Sequence, residues 1–261
     1  MSQSPGEPES LAEGTLISHL LELRDRLLRA LLAVFIIFLP LVFFANQLFT
    51  LIAHPLLEKL PEGASIIATS VVAPFMTPLK LALIAALFVA MPYVLYQVWA
   101  FVAPGLYRHE RRFAMPLFLS SVVLFYVGVA FAYFVVFPLM FTFLTSTTPE
   151  GVKMMTDMSS YLDFVLLLFF AFGIAFEVPV AVVLLAATGL VKIESLKKHR
   201  GYVVLGIFVI AALLTPPDAV SQTFMAVPMY VLYELGILLA QYLVRQRAAD
   251  KARHEAAHPG E

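Results

Sequence analysis

The sequence predicts an all-α integral membrane protein with six transmembrane helices, bent and cradle-like, and with the N-terminus and C-terminus both cytoplasmic. Three observations carry that reading. Apolar residues make up 61% of the 261 positions and charged residues only 13%, a composition a water-soluble domain of this size hardly tolerates. Fourteen of the seventeen Lys and Arg residues fall in segments 24–29, 108–112, 192–200 and 245–253. Long apolar stretches separate those segments, and Lys and Arg are retained on the cytoplasmic side, so the chain leaves and returns between each pair. The crossings are therefore even in number, with the connectors around Lys59, Lys153 and Pro217 outside.

A hydrocarbon core of about 30 Å needs about 20 apolar residues in a helix. Segments 27–48 and 79–101 meet that length, and Lys80, near the outer end of the second, is expected to reach the headgroups. The third run is uncharged from 113 to 149, longer than one crossing, and Pro138 is a plausible break. The fourth, 161–185, contains Glu177, and the sixth, 221–244, contains Glu234. The fifth, 202–214, spans only about 20 Å of helix. By length alone it reads as a re-entrant or buried segment, but the basic residues on either side demand a pair of crossings, which a short hairpin that thins the bilayer satisfies.

Pro40, Pro92, Pro179 and Pro228 fall inside predicted helices, where each removes a backbone hydrogen bond and bends the axis. Three regions follow: residues 1–26 as a cytoplasmic N-terminal segment with an interfacial amphipathic helix, 27–244 as the six-helix transmembrane domain, and 245–261 as a cytoplasmic, disordered tail. The first fifteen residues are polar and acidic, and no small-residue cleavage site follows the first apolar run, so that run is expected to be a retained helix. The outer connectors, about 49–74 and 145–160, read as compact caps, and Pro55 in the first of them as a turn former.

Several functions are excluded or disfavoured. Without cysteine there is no disulfide, thiolate metal site or cysteine nucleophile. The positive charge is sorted by side of the membrane rather than massed on one face, so nucleic acid is not an expected ligand. No phosphate-binding loop or His-Glu-x-x-His motif is present, no enzyme is predicted, and neither cofactor nor metal is expected. Lipid is the main solvent.

The candidate functional residues lie in four places. Ser18-His19-Leu20-Leu21-Glu22-Leu23-Arg24-Asp25-Arg26-Leu27 carries leucines at helical spacing, and Glu22 to Arg26 and Asp25 to Arg29 read as ordinary i,i+4 pairs. Ala103-Pro104-Gly105-Leu106-Tyr107-Arg108-His109-Glu110-Arg111-Arg112 again sets one carboxylate among arginines. The arginines need no function beyond orientation, whereas an acid adds nothing to that signal. Glu177 sits among Phe170, Phe172, Phe176 and Val178, where lipid penalises an ionised carboxylate; it is either protonated or turned inward. Gln222 can donate and accept hydrogen bonds just beyond Thr215-Pro216-Pro217-Asp218, while Asp218 or Ser221 could simply cap the next helix.

Over nearly its whole length the chain resembles the twin-arginine translocase C subunit family. The likeness rests on residues 19–27, on Tyr96-Gln97-Val98-Trp99-Ala100-Phe101-Val102-Ala103-Pro104-Gly105-Leu106-Tyr107 with His109-Glu110-Arg111, on Phe172-Gly173 with Phe176-Glu177-Val178-Pro179, and on Leu214-Thr215-Pro216-Pro217-Asp218 with Gln222. The resemblance implies a six-helix receptor in the bacterial cytoplasmic (inner) membrane. It would bind the Arg-Arg motif of signal peptides on folded cargo and recruit small single-helix partner subunits of the TatA and TatB type. It would assemble with other copies of itself and draw on the proton-motive force.

By the same resemblance, Glu22 and Glu110 would read the paired arginines with Arg24 and His19 beside them, and Arg24 would orient Glu22. Glu177 would be an intramembrane polar contact, and Gln222, Thr215 and Asp218 would face a partner helix. A guanidinium pairs with carboxylates as a bidentate fork, which makes two acids a sensible arginine reader. The competing class is a small-solute or proton-coupled secondary transporter that relays through Glu177 and Glu234. Such a protein concentrates polar groups at broken, repeat-related helices. Here the most suggestive acids lie in connectors, and no repeat is visible.

Overall fold

A computed structural model describes residues 7–57, 65–102, 111–147, 149, 155–215 and 218–257. Its helices are α1 (Glu7–Leu41), α2 (Ala45–Leu57), α3 (Ala73–Val102), α4 (Arg111–Phe131), α5 (Phe137–Ser146), α6 (Met158–Ala175), α7 (Val178–Ala187), α8 (Ile193–Lys198), α9 (Arg200–Leu214) and α10 (Ala219–Ala257). Among the described residues, five helical stretches are long and apolar enough to cross a bilayer: Ile17–His54, Ala73–Val102, Met115–Ser146, Met158–Ala187 and Ala219–Gln246. The fifth expected crossing is the shorter apolar helix Arg200–Leu214, of 15 residues.

Prolines set where the long stretches bend, as their missing N–H dictates. Helix α1 ends at Leu41, just after Pro40, and a 3-10 turn over Val42–Phe44 links it to α2. The third stretch widens into a π turn over Ala132–Val136, where the Phe137 N–H reaches back to the Ala132 carbonyl, immediately ahead of Pro138. The fourth breaks at Phe176 and Glu177 ahead of Pro179, and the Glu177 N–H there takes the Ile174 carbonyl at 3.0 Å in place of an α-helical bond. Pro92 and Pro228, by contrast, lie within the continuous helices α3 and α10.

Two tyrosines occupy carbonyls that prolines leave short of a donor. In α3, Pro92 cannot donate to the Phe88 carbonyl four residues back, and the Tyr126 hydroxyl does so at 2.8 Å. In α2, Pro55 leaves the Leu51 carbonyl in the same position, and the Tyr133 hydroxyl reaches it at 3.3 Å. Pro55 is thus part of a helix rather than a turn former.

The main core lies where α4 to α6 meet α10. Phe137, Leu168, Phe172 and Met225 are buried there, and Gly128 lets α4 approach the backbone of α6. A methyl on Gly128 would stand 2.5 Å from the Phe172 carbonyl oxygen, and one on Gly173 would stand 2.6 Å from the Phe125 ring. Large apolar side chains such as Phe43, Leu213 and Tyr202 point outward, 83%, 79% and 76% exposed, as expected where lipid replaces water.

The amphipathic segment before the first crossing is the early part of α1, which runs unbroken from Glu7 through Leu41. Two expectations need correction. The tail is helical to Ala257 rather than disordered; its Ala, Arg, Lys and Glu residues are good helix formers. Finally, the fold is not purely helical. Ser65–Ile67 (β1) and Met155–Asp157 (β2) pair in parallel and join the two caps, with Ile66 opposite Thr156. Asp157 secures that joint. Its carboxylate accepts from the Ser160 N–H (2.9 Å) to cap α6, and from the Thr69 hydroxyl (2.7 Å) and N–H (3.2 Å) across the cap.

Candidate functional site

At the end of the bundle where α1 meets the close of α3, His19 stacks on Phe101, ring centroids 4.2 Å apart at 21°. Phe101 is one residue from the end of α3, so the contact holds the Glu22 turn of α1 beside the start of the following connector. One helical turn past His19, Glu22 accepts through Oε1 from Arg26 Nε (3.0 Å) and Nη2 (2.5 Å), while Oε2 lies 4.0 Å from His19 Nδ1. Glu22 remains 37% exposed, open to a visiting cation.

Arg24 binds Asp25 at 2.9 Å, in place of the expected Asp25–Arg29 pair, and both partners are exposed. The i,i+4 spacing had already pointed to Arg26 as the partner of Glu22. Glu110 lies in 103–110, outside the described residues.

Glu177 occupies the break between α6 and α7 and turns toward α4, where its Oε2 accepts a hydrogen bond from the Ser121 hydroxyl. Ser121 is 2% exposed. The other carboxylate oxygen, Oε1, is buried without a partner among the described residues. Of the two alternatives raised by its apolar surroundings, the inward-turned one describes its geometry. Sequence reasoning missed Ser121; the signal available was a polar Ser120-Ser121 step inside an apolar run.

At the α9–α10 corner, Asp218 caps α10 through the Ser221 N–H at 2.7 Å, and the Thr215 hydroxyl bonds back to the Ala211 carbonyl at 2.8 Å. Gln222 stands one turn along and is half-buried. Asp218 thus has the capping role, and Thr215, 7% exposed, presents little polar surface.

Two further charged pairs were not foreseen. Lys80 is bound to Asp163 rather than extended alone toward headgroups. Glu234, the unassigned acid of the last crossing, accepts from Arg200 Nη2 at 2.6 Å and from the Tyr230 hydroxyl at 2.9 Å, tying α9 to α10. Among the described residues no three His, Asp or Glu side chains cluster closely enough to hold a metal ion.

Long apolar helices, several of them broken at prolines, define a multi-pass helical membrane protein. Residues 18–228 match the family model described as Sec-independent protein translocase protein (TatC). The chain is 55% identical over 252 residues to the Sec-independent protein translocase protein TatC of Azotobacter chroococcum mcd 1, covering 97% of this chain and 98% of that protein. It is 56% identical over 229 residues to TatC of Escherichia coli (strain K12), covering 88% and 89%. A crystal structure of the twin arginine translocase receptor TatC superposes with a TM-score of 0.77 at 38% identity, covering 86% of this chain and 98% of that one.

The chain belongs to the TatC family. It is a multi-pass protein of the bacterial inner membrane and a non-enzymatic component of the Tat protein translocase.

Proposed function

We propose that this protein is the core receptor subunit of its translocase, with Glu22 and Glu110 together reading the Arg-Arg motif of signal peptides on folded cargo. The observation that carries the reading is the Glu22 turn. Its carboxylate is held from one side by Arg26, half-open on the other, and pinned by the His19–Phe101 stack beside the connector in which Glu110 lies. Two such acids favour a guanidinium pair over two ammonium groups because only the guanidinium forks. The arginines around them oppose a cationic guest, so binding is modest and salt-sensitive.

The chain makes six crossings with both termini cytoplasmic. Residues 1–26 precede the transmembrane domain of 27–244, and 245–261 follow it. Charge sorting supports this, and the 15-residue α9, about 22 Å long, crosses by thinning the bilayer locally. Glu177, with one carboxylate oxygen lacking a partner among the described residues, offers a polar contact to an inserted signal peptide or partner helix. Gln222, with Thr215 and Asp218 at the same corner, marks the edge that takes a TatA- or TatB-type helix. Passage of folded cargo, driven by the proton-motive force, requires an assembly with other copies of the chain. Photocrosslinking an Arg-Arg or a Lys-Lys signal peptide to probes beside Glu22, Glu110 and Glu177 tests the reading. Equal labelling by the two peptides at Glu22 and Glu110 removes the acids as an arginine reader, and a silent probe at Glu177 removes the intramembrane contact.

A further inference from the structure

Between α6, α7, α9 and α10 runs an apolar groove of about 390 Å³, or about 890 Å³ counting the space at its open side. Along α9 it is lined by Val203, Ile207, Ile210 and Leu214, one face of the helix at three- and four-residue steps. Arg200 precedes Val203 by three residues and so terminates the same face. From Val203 to Leu214 the helix rises about 16 Å, close to half of the ~30 Å hydrocarbon core, the depth of one leaflet.

The mouth of this groove is polar where its walls are not. Arg200 gives Nη2 to Glu234, whose other oxygen is filled by Tyr230, and Arg200 Nε is buried with no partner among the described residues. One turn earlier, α8 presents Lys197 and Lys198, both exposed. Arg200, Lys197 and Lys198 thus stand against the one carboxylate of Glu234 at this end of α9, an excess of positive charge.

We propose that this groove is a phospholipid site, in which an anionic headgroup sits against the exposed part of the Arg200 guanidinium, Lys197 and Lys198 while one acyl chain lies along α9. Basic pockets between membrane helices suit such headgroups. The basic end of the groove suits an anionic headgroup and its apolar walls suit an acyl chain, whereas an uncharged transmembrane helix would leave those cations unmatched. A dry apolar slot also has nothing to hold water. A lipid retained there buttresses the short α9 against α6 and α10.

Native mass spectrometry of the purified full chain, supplied with phosphatidylglycerol or phosphatidylcholine of identical chains, tests the site. The expected result is one phosphatidylglycerol retained per chain in preference to phosphatidylcholine. Lys197→Gln with Lys198→Gln, at exposed positions that leave the Arg200–Glu234 pair intact, lowers that preference by roughly tenfold. Ile207→Trp or Ala171→Phe, which fill the groove from opposite walls, abolish retention of both lipids. Equal retention of the two lipids, or retention indifferent to both filling variants, overturns the proposal. So does crosslinking from Ile207 that captures a partner helix and no lipid.

Discussion

The Tyr126 hydroxyl, carried on α4, donates to the Phe88 carbonyl of α3 at 2.8 Å, the group that Pro92 deprives of its helical donor. A bend imposed by one crossing is thereby satisfied by its neighbour. In lipid no water can serve instead, so the cost of the missing N–H is met by a side chain whose position depends on how the two helices pack.

Tyr126→Phe therefore destabilises by about 1 kcal/mol, the net worth of one such hydrogen bond. Pro92→Ala restores the donor, so in that background the tyrosine hydroxyl becomes nearly dispensable. Thermal unfolding of the single and double variants in detergent measures the coupling. Additive effects would show that Tyr126 does not act on the carbonyl freed by Pro92.

Gly128→Ala is the sharpest packing test. The new methyl would meet the Phe172 carbonyl oxygen at 2.5 Å, and because that atom is backbone it cannot swing aside. The α4–α6 contact has to open, at a cost of about 1–3 kcal/mol. Gly201→Ala, with nothing within 4 Å of the new methyl, leaves stability equal or slightly raised. If the two substitutions lower the melting temperature alike, close approach of α4 to α6 is not what Gly128 provides.

Much of the architecture was legible because it depends on local quantities. Apolar length and charge sorting located the long stretches, and proline chemistry located the breaks near Pro40, Pro138 and Pro179. What escaped were long-range pairings. Asp163 lies 83 residues from Lys80, and each of the two cap strands is three residues long, too short to leave an alternating pattern. At the candidate site the i,i+4 spacing pointed to the Glu22–Arg26 pair, which is local and so readable from residue order. The contact of Arg24 with Asp25 was not foreseen, because adjacent residues on a helix do not share a face and sequence spacing gives no sign of such a pair.

Asp157, just outside the membrane span, links the caps to pH. The Ser160 N–H, then the Thr69 hydroxyl and N–H, hold its carboxyl well below the usual carboxylate range. Its folded value is thus lower than the unfolded one of about 3.9, so its stabilisation is complete above about pH 4 and is lost as pH falls toward the folded value. Asp157→Asn is expected to lower the melting temperature at about pH 6, and the gap from the natural chain narrows as pH drops to about 3. A gap constant over that range would assign the joint to geometry rather than to charge.

The two arginines of the first candidate motif, Arg24 and Arg26, hold different partners. Arg26 makes both of its contacts with Glu22 Oε1 and so fixes the carboxylate, whereas Arg24 is occupied by Asp25. Removing Arg26 releases Glu22 into several rotamers, and a fork that needs two oxygens at a set angle suffers more than a point charge does. Arg26→Gln should therefore erode the preference for an Arg-Arg over a Lys-Lys signal peptide, while Arg24→Gln leaves it close to the natural value. Glu22→Gln and Glu110→Gln should each weaken the Arg-Arg peptide by about two- to fivefold, as exposed pairs do. Together they should flatten its dependence on salt. Binding isotherms of both peptides at low and high salt decide the matter. Should Arg24→Gln erode the preference as much as Arg26→Gln does, the orientation of Glu22 by Arg26 plays no part in recognition.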